Sequence, residues 1–353
     1  MELAAVEAMR AAGWAALGHE EVRDRVRGAL LGSACGDALG APFEGQAEVD
    51  PAELGAHRHG SAQLSYTGDT VMTLVLAQHL SARLVRDAEL ETDELARAFA
   101  FAWRNEPWRG YGSGPEHVFR SVLLGVPCRK AAASLFGGSG SFGNGGAMRV
   151  APVALLGRSL GLVLDWARRS ARVTHLHPIG QAGAALQAAA VALAASGSRQ
   201  HPLDPRRFLS AVDACHGHPA FSARLRRLSY VLDDERPARV VRSIGHGIPA
   251  LESVPAALLA FLRSPDEPSE VLDFAVRLGG QTDSITAMAG ALVGARCGAA
   301  RLPRELLVRI ECGPRILAVA DALARCAQPH AGDPDDPAAA YGEVWAQPVA
   351  RTW

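Results

Sequence analysis

Four glycines at every fourth position, Gly28, Gly32, Gly36 and Gly40, fall in a predicted helix over about residues 21–40. Glycine inside a helix costs about 1 kcal/mol relative to alanine, because its bare backbone loses more freedom on folding. A stripe of four therefore needs a compensating contact that side chains would obstruct. Close approach of a second backbone and close approach of a ligand both meet that need. The sequence leaves the two open.

Helical periodicity recurs over about 2–17, 70–86, 91–104, 115–124, 147–169, 178–196, 205–213, 219–231, 252–264, 268–278, 284–299 and 303–325. The period-two alternation of strands is nearly absent. Hydrophobic residues make up 48% of the chain and aromatic residues only 6%, so the core is built from Ala, Leu and Val. Such Ala-rich segments favour helix. The expected fold is all-α, a single compact multi-helix domain over residues 21–327. A helical extension (1–20) precedes it, and a tail (328–353) containing Gly-Asp-Pro-Asp-Asp-Pro follows. Glycine-rich connections interrupt the helices at 109–114, 137–146 and 243–249.

A net charge of −1 and a pI near 6.9 speak against nucleic acid and membrane as partners. The six cysteines form no CxxC pair, which disfavours a zinc or disulfide framework and suits a reducing cytoplasm. Cys215-His216-Gly217-His218 could hold a metal but is read as a surface segment or turn. The first twenty residues lack the pattern of a signal peptide, and the apolar run Ala182–Ala195 is short for a bilayer. A soluble, cytoplasmic protein is expected.

Two distant stretches share one grammar. Ser65-Tyr66-Thr67-Gly68-Asp69-Thr70 runs into Val71–Ala77, and Gly279-Gly280-Gln281-Thr282-Asp283-Ser284 runs into Ile285–Leu292. Ser, Thr and Asp at a helix start accept the free backbone N–H groups there. The helix dipole favours negative charge at that end, so these aspartates are expected to be ionised. Two clusters of oxygen ligands on converging helix ends suit a hard cation of the Mg²⁺ type.

Four further elements fit the same scheme. Gly36-Asp37-Ala38-Leu39-Gly40-Ala41-Pro42-Phe43-Glu44 places two carboxylates at the end of the glycine-striped helix. Arg109-Gly110-Tyr111-Gly112 is a tight turn. Ser141-Phe142-Gly143-Asn144-Gly145-Gly146-Ala147-Met148-Arg149 is a loop running into a helix, and Thr174-His175-Leu176-His177-Pro178 is another helix start. In this order the set resembles the ADP-ribosylglycohydrolase family, the hydrolases related to dinitrogenase reductase-activating glycohydrolase, over roughly residues 24–323.

The resemblance implies an all-helical domain with a dinuclear Mg²⁺ or Mn²⁺ centre that cleaves N- or O-glycosidic bonds at the anomeric carbon of ADP-ribose. The substrate it implies is an ADP-ribosylated or ribosyl-nucleotide small molecule or protein. It assigns catalytic roles to Glu44, Asp69 and Asp283, and metal ligation to Thr67, Asp69, Asp283 and Ser284. Asp37, Gly112, Ser141, Gly143, Asn144 and His175 fall at substrate-binding positions.

Two departures stand out. The family's first metal motif is usually Thr-Asp-Asp-Thr, and its middle aspartate is Gly68 here. The second is usually Gly-Asp-Thr-Asp-Thr, and its first aspartate is Gln281 here. Fewer carboxylates hold a hard cation more weakly. The expectation is one weakly bound Mg²⁺ or Mn²⁺ ion, or none. The activity expected is glycosidic hydrolysis of an ADP-ribosyl or related substrate. The alternative is a catalytically silent relative that binds ADP-ribose.

Overall fold

A computed structural model describes residues 1–84, 90–234 and 236–327. The expected tail and the last two residues of the 70–86 helix lie outside the described residues. Among the described residues there are nineteen α-helices and no strand beyond two isolated bridges, Leu64 with Ile310 and Gly143 with Pro249.

The His19–Gly40 and Thr282–Cys297 helices form the centre. They run antiparallel, and the glycine stripe is their contact. A Cβ added at Gly28, Gly32, Gly36 or Gly40 would collide with the carbonyl of Gly294, Gly290, Thr286 or Thr282 respectively. Gly290 and Gly294 return the approach against Gly32 and Gly28. Every residue of Thr282–Cys297 is buried. The stripe is thus occupied by a second backbone, and close packing along two whole helices offsets the helix-propensity cost. This contact fixes where each helix ends, and the site is built at those ends.

The Pro178–Ser196 helix is long and apolar enough to cross a membrane, but 89% of that window is buried inside the fold. It serves as a core helix. Leu3–Ala15 docks on the same core through Val6 and Trp14, and Glu7 accepts the Leu160 N–H at 3.0 Å.

Two predicted helices divide. The segment 147–169 forms Gly145–Met148, Ala151–Ala154 and Leu160–Arg172, broken before Pro152 and at Gly157, whose φ is +65°. The segment 303–325 forms Arg304–Leu307 and Gly313–Ala327, separated at Cys312, whose φ is +53°. Three short helices were too brief for periodicity to show: Pro51–Arg58, Cys128–Ala133 and Pro237–Ile244. The first carries a local signal, with Asp50 capping the Ala52 N–H ahead of Pro51 at N1.

Candidate active site

Three helix ends meet. Thr67 stands just ahead of Gly68–Leu84, and its Oγ1 accepts the Asp69 N–H at 3.2 Å. Asp37, in the last turn of His19–Gly40, ties that helix start down. Its Oδ2 accepts Thr67 N–H at 3.0 Å, Thr70 N–H at 3.0 Å and the Thr70 hydroxyl at 2.6 Å. The start of Thr282–Cys297 is held by the Thr282 hydroxyl, which donates to Gly40 O at 2.8 Å. These two helix starts, 215 residues apart, are joined directly: the Ser284 hydroxyl donates to Asp69 Oδ2 at 2.6 Å.

Glu44 reaches the same place through backbone pairing. Gly45 N–H donates to Gly280 O at 2.8 Å, and Gly280 N–H donates to Gln46 O at 2.7 Å. Gly279 and Gly280 have φ of +72° and +70°, a conformation in which side chains are strained. Glu44 is thereby set beside Gln281, whose Nε2 donates to Glu44 Oε1 at 3.0 Å. Glu44 lies exposed at the rim, whereas Asp69 and Asp283 are 7% and 6% exposed.

The electrostatics depart from expectation. Burial, followed by repulsion from Asp283 and Asp37, raises the Asp69 carboxyl well above its ordinary range. Burial, with Glu44 and Asp37 adding to it, pushes Asp283 up to about 7. Neither aspartate is ion-paired with a basic side chain among the described residues. The dipole at two helix starts does not compensate for lost water and crowded like charges. Asp37 is fully buried, and its Oδ1 has no hydrogen-bond partner.

This is an all-oxygen set with crowded negative charge, which suits one hard cation that Asp69, Asp283 and the Thr67 and Ser284 hydroxyls would hold. It does not fit two. Gly68 offers no donor, and a Cβ there would lie 2.8 Å from Tyr111 Cδ1. The amide nitrogen of Gln281 faces Glu44. Among the described residues no three His, Cys, Asp or Glu side chains form a ready-made metal cage. A surface cavity of about 680 Å³ lined by Leu90, Arg129, Arg169 and Arg172 holds none of these carboxylates.

The glycine loop forms the next wall. Asn144 N–H donates to Ile248 O at 2.9 Å, and Ala250 N–H to Phe142 O at 3.0 Å, pairing the loop with the segment before Ala250–Arg263. Ser141 Oγ accepts the Gly143 N–H at 3.3 Å. Asn144 Nδ2 is buried without a hydrogen-bond partner. Met148 Sδ lies 3.8 Å from Ser284 Oγ, so loop and carboxylates are contiguous. His175 is 3% exposed, and its imidazole underlies Gly143 and Gly145. Gly112 caps the start of Ser113–Leu123, and its turn is fixed by Gly68 N–H donating to Arg109 O at 2.7 Å.

Several neighbours escape sequence reading. Phe136 and Phe142 are 60% and 40% exposed, their ring centroids 5.8 Å apart, and Ile248 is 60% exposed. Aromatic residues inside a glycine-rich loop were the available signal. Arg149, fully buried and 2.9 Å from the Thr174 hydroxyl, gave none, because nothing local marks a buried arginine.

Fold and site together define an all-helical protein with buried carboxylates where two helix starts meet. The family model for ADP-ribosylglycohydrolase matches residues 18–332, and the chain belongs to that family. It is similar to the ADP-ribosylhydrolase ARH3 of Bos taurus, 37% identical over 346 residues, covering 86% of this chain and 93% of that protein. The Homo sapiens ADP-ribosylhydrolase ARH3 is 37% identical over 324 residues, covering 80% and 87%. A solved ADP-ribosylglycohydrolase-related protein complex aligns with a TM-score of 0.68 at 26% identity, covering 87% of this chain and 99% of that one.

Proposed function

We propose that the protein hydrolyses an N- or O-glycosidic bond at the anomeric carbon of an ADP-ribosyl or related ribosyl-nucleotide group, carried by a small molecule or a protein. The observation that carries this is the Ser284–Asp69 hydrogen bond of 2.6 Å, which brings both motifs to one point beside Glu44. The orphaned Asn144 amide and the exposed Phe136–Phe142 pair supply donor and stacking surfaces for diphosphate and base.

Cleavage breaks the bond from the anomeric carbon to the leaving nitrogen or oxygen, which keeps the electron pair and takes up a proton. A water oxygen bonds the carbon as one of its protons passes to Glu44, which then hands a proton on to the departing group. Positive charge develops on the ribose, and Asp69 and Asp283 stabilise it. One divalent cation, held by Thr67, Asp69, Asp283 and Ser284, would supply a positive centre for the ribose hydroxyls. Release of free ADP-ribose from a panel of N- and O-linked substrates tests the reading; no release from any of them contradicts it.

A second reading has one observation in its favour. Gln281 already satisfies Glu44 with a neutral amide, as suits a silent relative that binds ADP-ribose. Binding without release in the same panel supports it.

A further inference from the structure

Arg149 is fully buried and is hydrogen-bonded to no carboxylate, although it lies within range of the Asp69 charge. Its Nη2 donates to Ser170 O at 2.9 Å and to Thr174 Oγ1 at 2.9 Å, and its guanidinium stacks 4.7 Å over the Phe99 ring. Thr174 Oγ1 lies 2.7 Å from His175 Nδ1. These contacts fix the direction of the chain, because an arginine only donates. Thr174 Oγ1 therefore accepts from Arg149. The Thr174 hydroxyl proton has no acceptor other than His175 Nδ1 among the described residues, and a buried hydroxyl proton without an acceptor is disfavoured. Nδ1 must then be the unprotonated nitrogen.

The opposite edge of the ring faces a small cradle. A Cβ added at Gly143 would lie 3.4 Å from His175 Nε2, 3.4 Å from Ser141 Oγ and 3.3 Å from Ile248 Cγ2. At Gly145 it would lie 3.1 Å from Nε2. Glycine at both positions leaves this edge uncovered. We propose that Arg149 and Thr174 are positioning residues that hold His175 as its Nε2–H tautomer, so that the imidazole offers a hydrogen-bond donor to a phosphate oxygen of the ligand over Gly143. The ring is kept neutral by burial and then by the Arg149 charge, which together take His175 down to about 3. A neutral imidazole has one donor, and the relay decides which nitrogen carries it. The ligand half of this inference rests on the ADP-ribosyl reading.

Nitrogen-15 NMR of the full chain, with the His175 signals identified by their loss in His175→Gln, reads the tautomer without any ligand. The unaltered protein should show a bare Nδ1 and a protonated Nε2. Thr174→Val should mix the two tautomers and weaken ADP-ribose binding about tenfold by calorimetry, the scale of one hydrogen bond to a charged group. Thr174→Ser should restore both, and Gly143→Ala should abolish binding while leaving the tautomer unchanged. A protonated Nδ1 in the unaltered protein overturns the proposal. So does a Thr174→Val protein with unchanged tautomer and affinity. If the tautomer responds as stated but ADP-ribose does not bind the unaltered protein, the relay stands and the ADP-ribosyl reading fails.

Discussion

Gln281 Nε2 donates to Glu44 Oε1 across 3.0 Å, a neutral amide standing where the family resemblance places a metal-motif aspartate. Elsewhere in the site Asp69 and Asp283 are buried without an ion pair, and burial and mutual repulsion raise both carboxyls. The purified protein should carry at most one divalent ion per chain. Gln281→Asp should raise Mg²⁺ or Mn²⁺ affinity by about tenfold or more, because an added carboxylate neutralises the ion better. Gly68→Asp meets Tyr111 at 2.8 Å from its Cβ and should lower stability by about 1–3 kcal/mol through overpacking. Elemental analysis, metal titration and thermal melts check these outcomes; two tightly held ions in the unaltered protein contradict them.

Glu44→Gln should lower turnover by about 10²–10⁴-fold, the usual loss for a general acid–base group. Stability should barely change, because Glu44 is exposed. Asp283→Asn should weaken metal binding, yet without metal it should not lower the melting temperature, since it removes one of several crowded charges. Wild-type turnover in Glu44→Gln would make Glu44 a structural residue.

The exposed Phe136–Phe142 pair should matter for the base and not for the sugar. Phe142→Ala should weaken ADP-ribose binding by about 1–3 kcal/mol, the scale of base–aromatic stacking, and leave ribose 5-phosphate binding unchanged. Parallel calorimetry with the two ligands separates these effects. Equal weakening of both would show that the loop itself had moved.

Glycines that look alike in sequence should respond with opposite signs. Gly32→Ala collides with the Gly290 carbonyl and should cost about 1–3 kcal/mol. Gly55, inside the Pro51–Arg58 helix with nothing within 4 Å of an added Cβ, should gain about 0.5–1 kcal/mol as alanine. Denaturant unfolding of the two variants checks the pair. Loss of stability in both would mean that helix propensity is not the deciding factor at Gly55.

Acid acts on stability with both signs. Protonation of the raised Asp69 and Asp283 favours the fold as pH falls from about 7 toward 3.8, while His175 and Asp321 oppose it, each in its own window. His175 has its folded pKa depressed from 6.5 to about 3 by burial and then by Arg149, so below 6.5 the unfolded chain takes up a proton that the folded chain refuses. The penalty is absent above 6.5 and grows as pH falls from 6.5 toward 3. For Asp321, burial raises the pKa, but hydrogen bonds from Arg27 and Arg23 outweigh it and hold the carboxyl at about 2. Its contribution is present above 3.8 and is lost as pH falls toward 2. His175→Gln should remove the first of these two losses and Asp321→Asn the second, read as unfolding free energy against pH.

The all-helical fold was legible because Ala- and Leu-rich periodicity acts locally. Pro178–Ser196 and Pro219–Val231 were located to the residue, each with proline at its first position and a side-chain cap ahead of it. The family was legible because several short motifs occur in a fixed order. The breaks at Gly157 and Cys312 were not, since positive φ at those positions is imposed by what the chain must reach next.

By itself the sequence determined most of the long helices, which ends carry carboxylates, and that the glycine stripe requires a close neighbour. Only the tertiary structure decided that the neighbour is the backbone of Thr282–Cys297, because propensity names a cost without naming what offsets it. The same holds for charge. The helix dipole is a local property and predicts ionised Asp69 and Asp283, whereas burial and mutual repulsion depend on segments 215 residues apart meeting at one point.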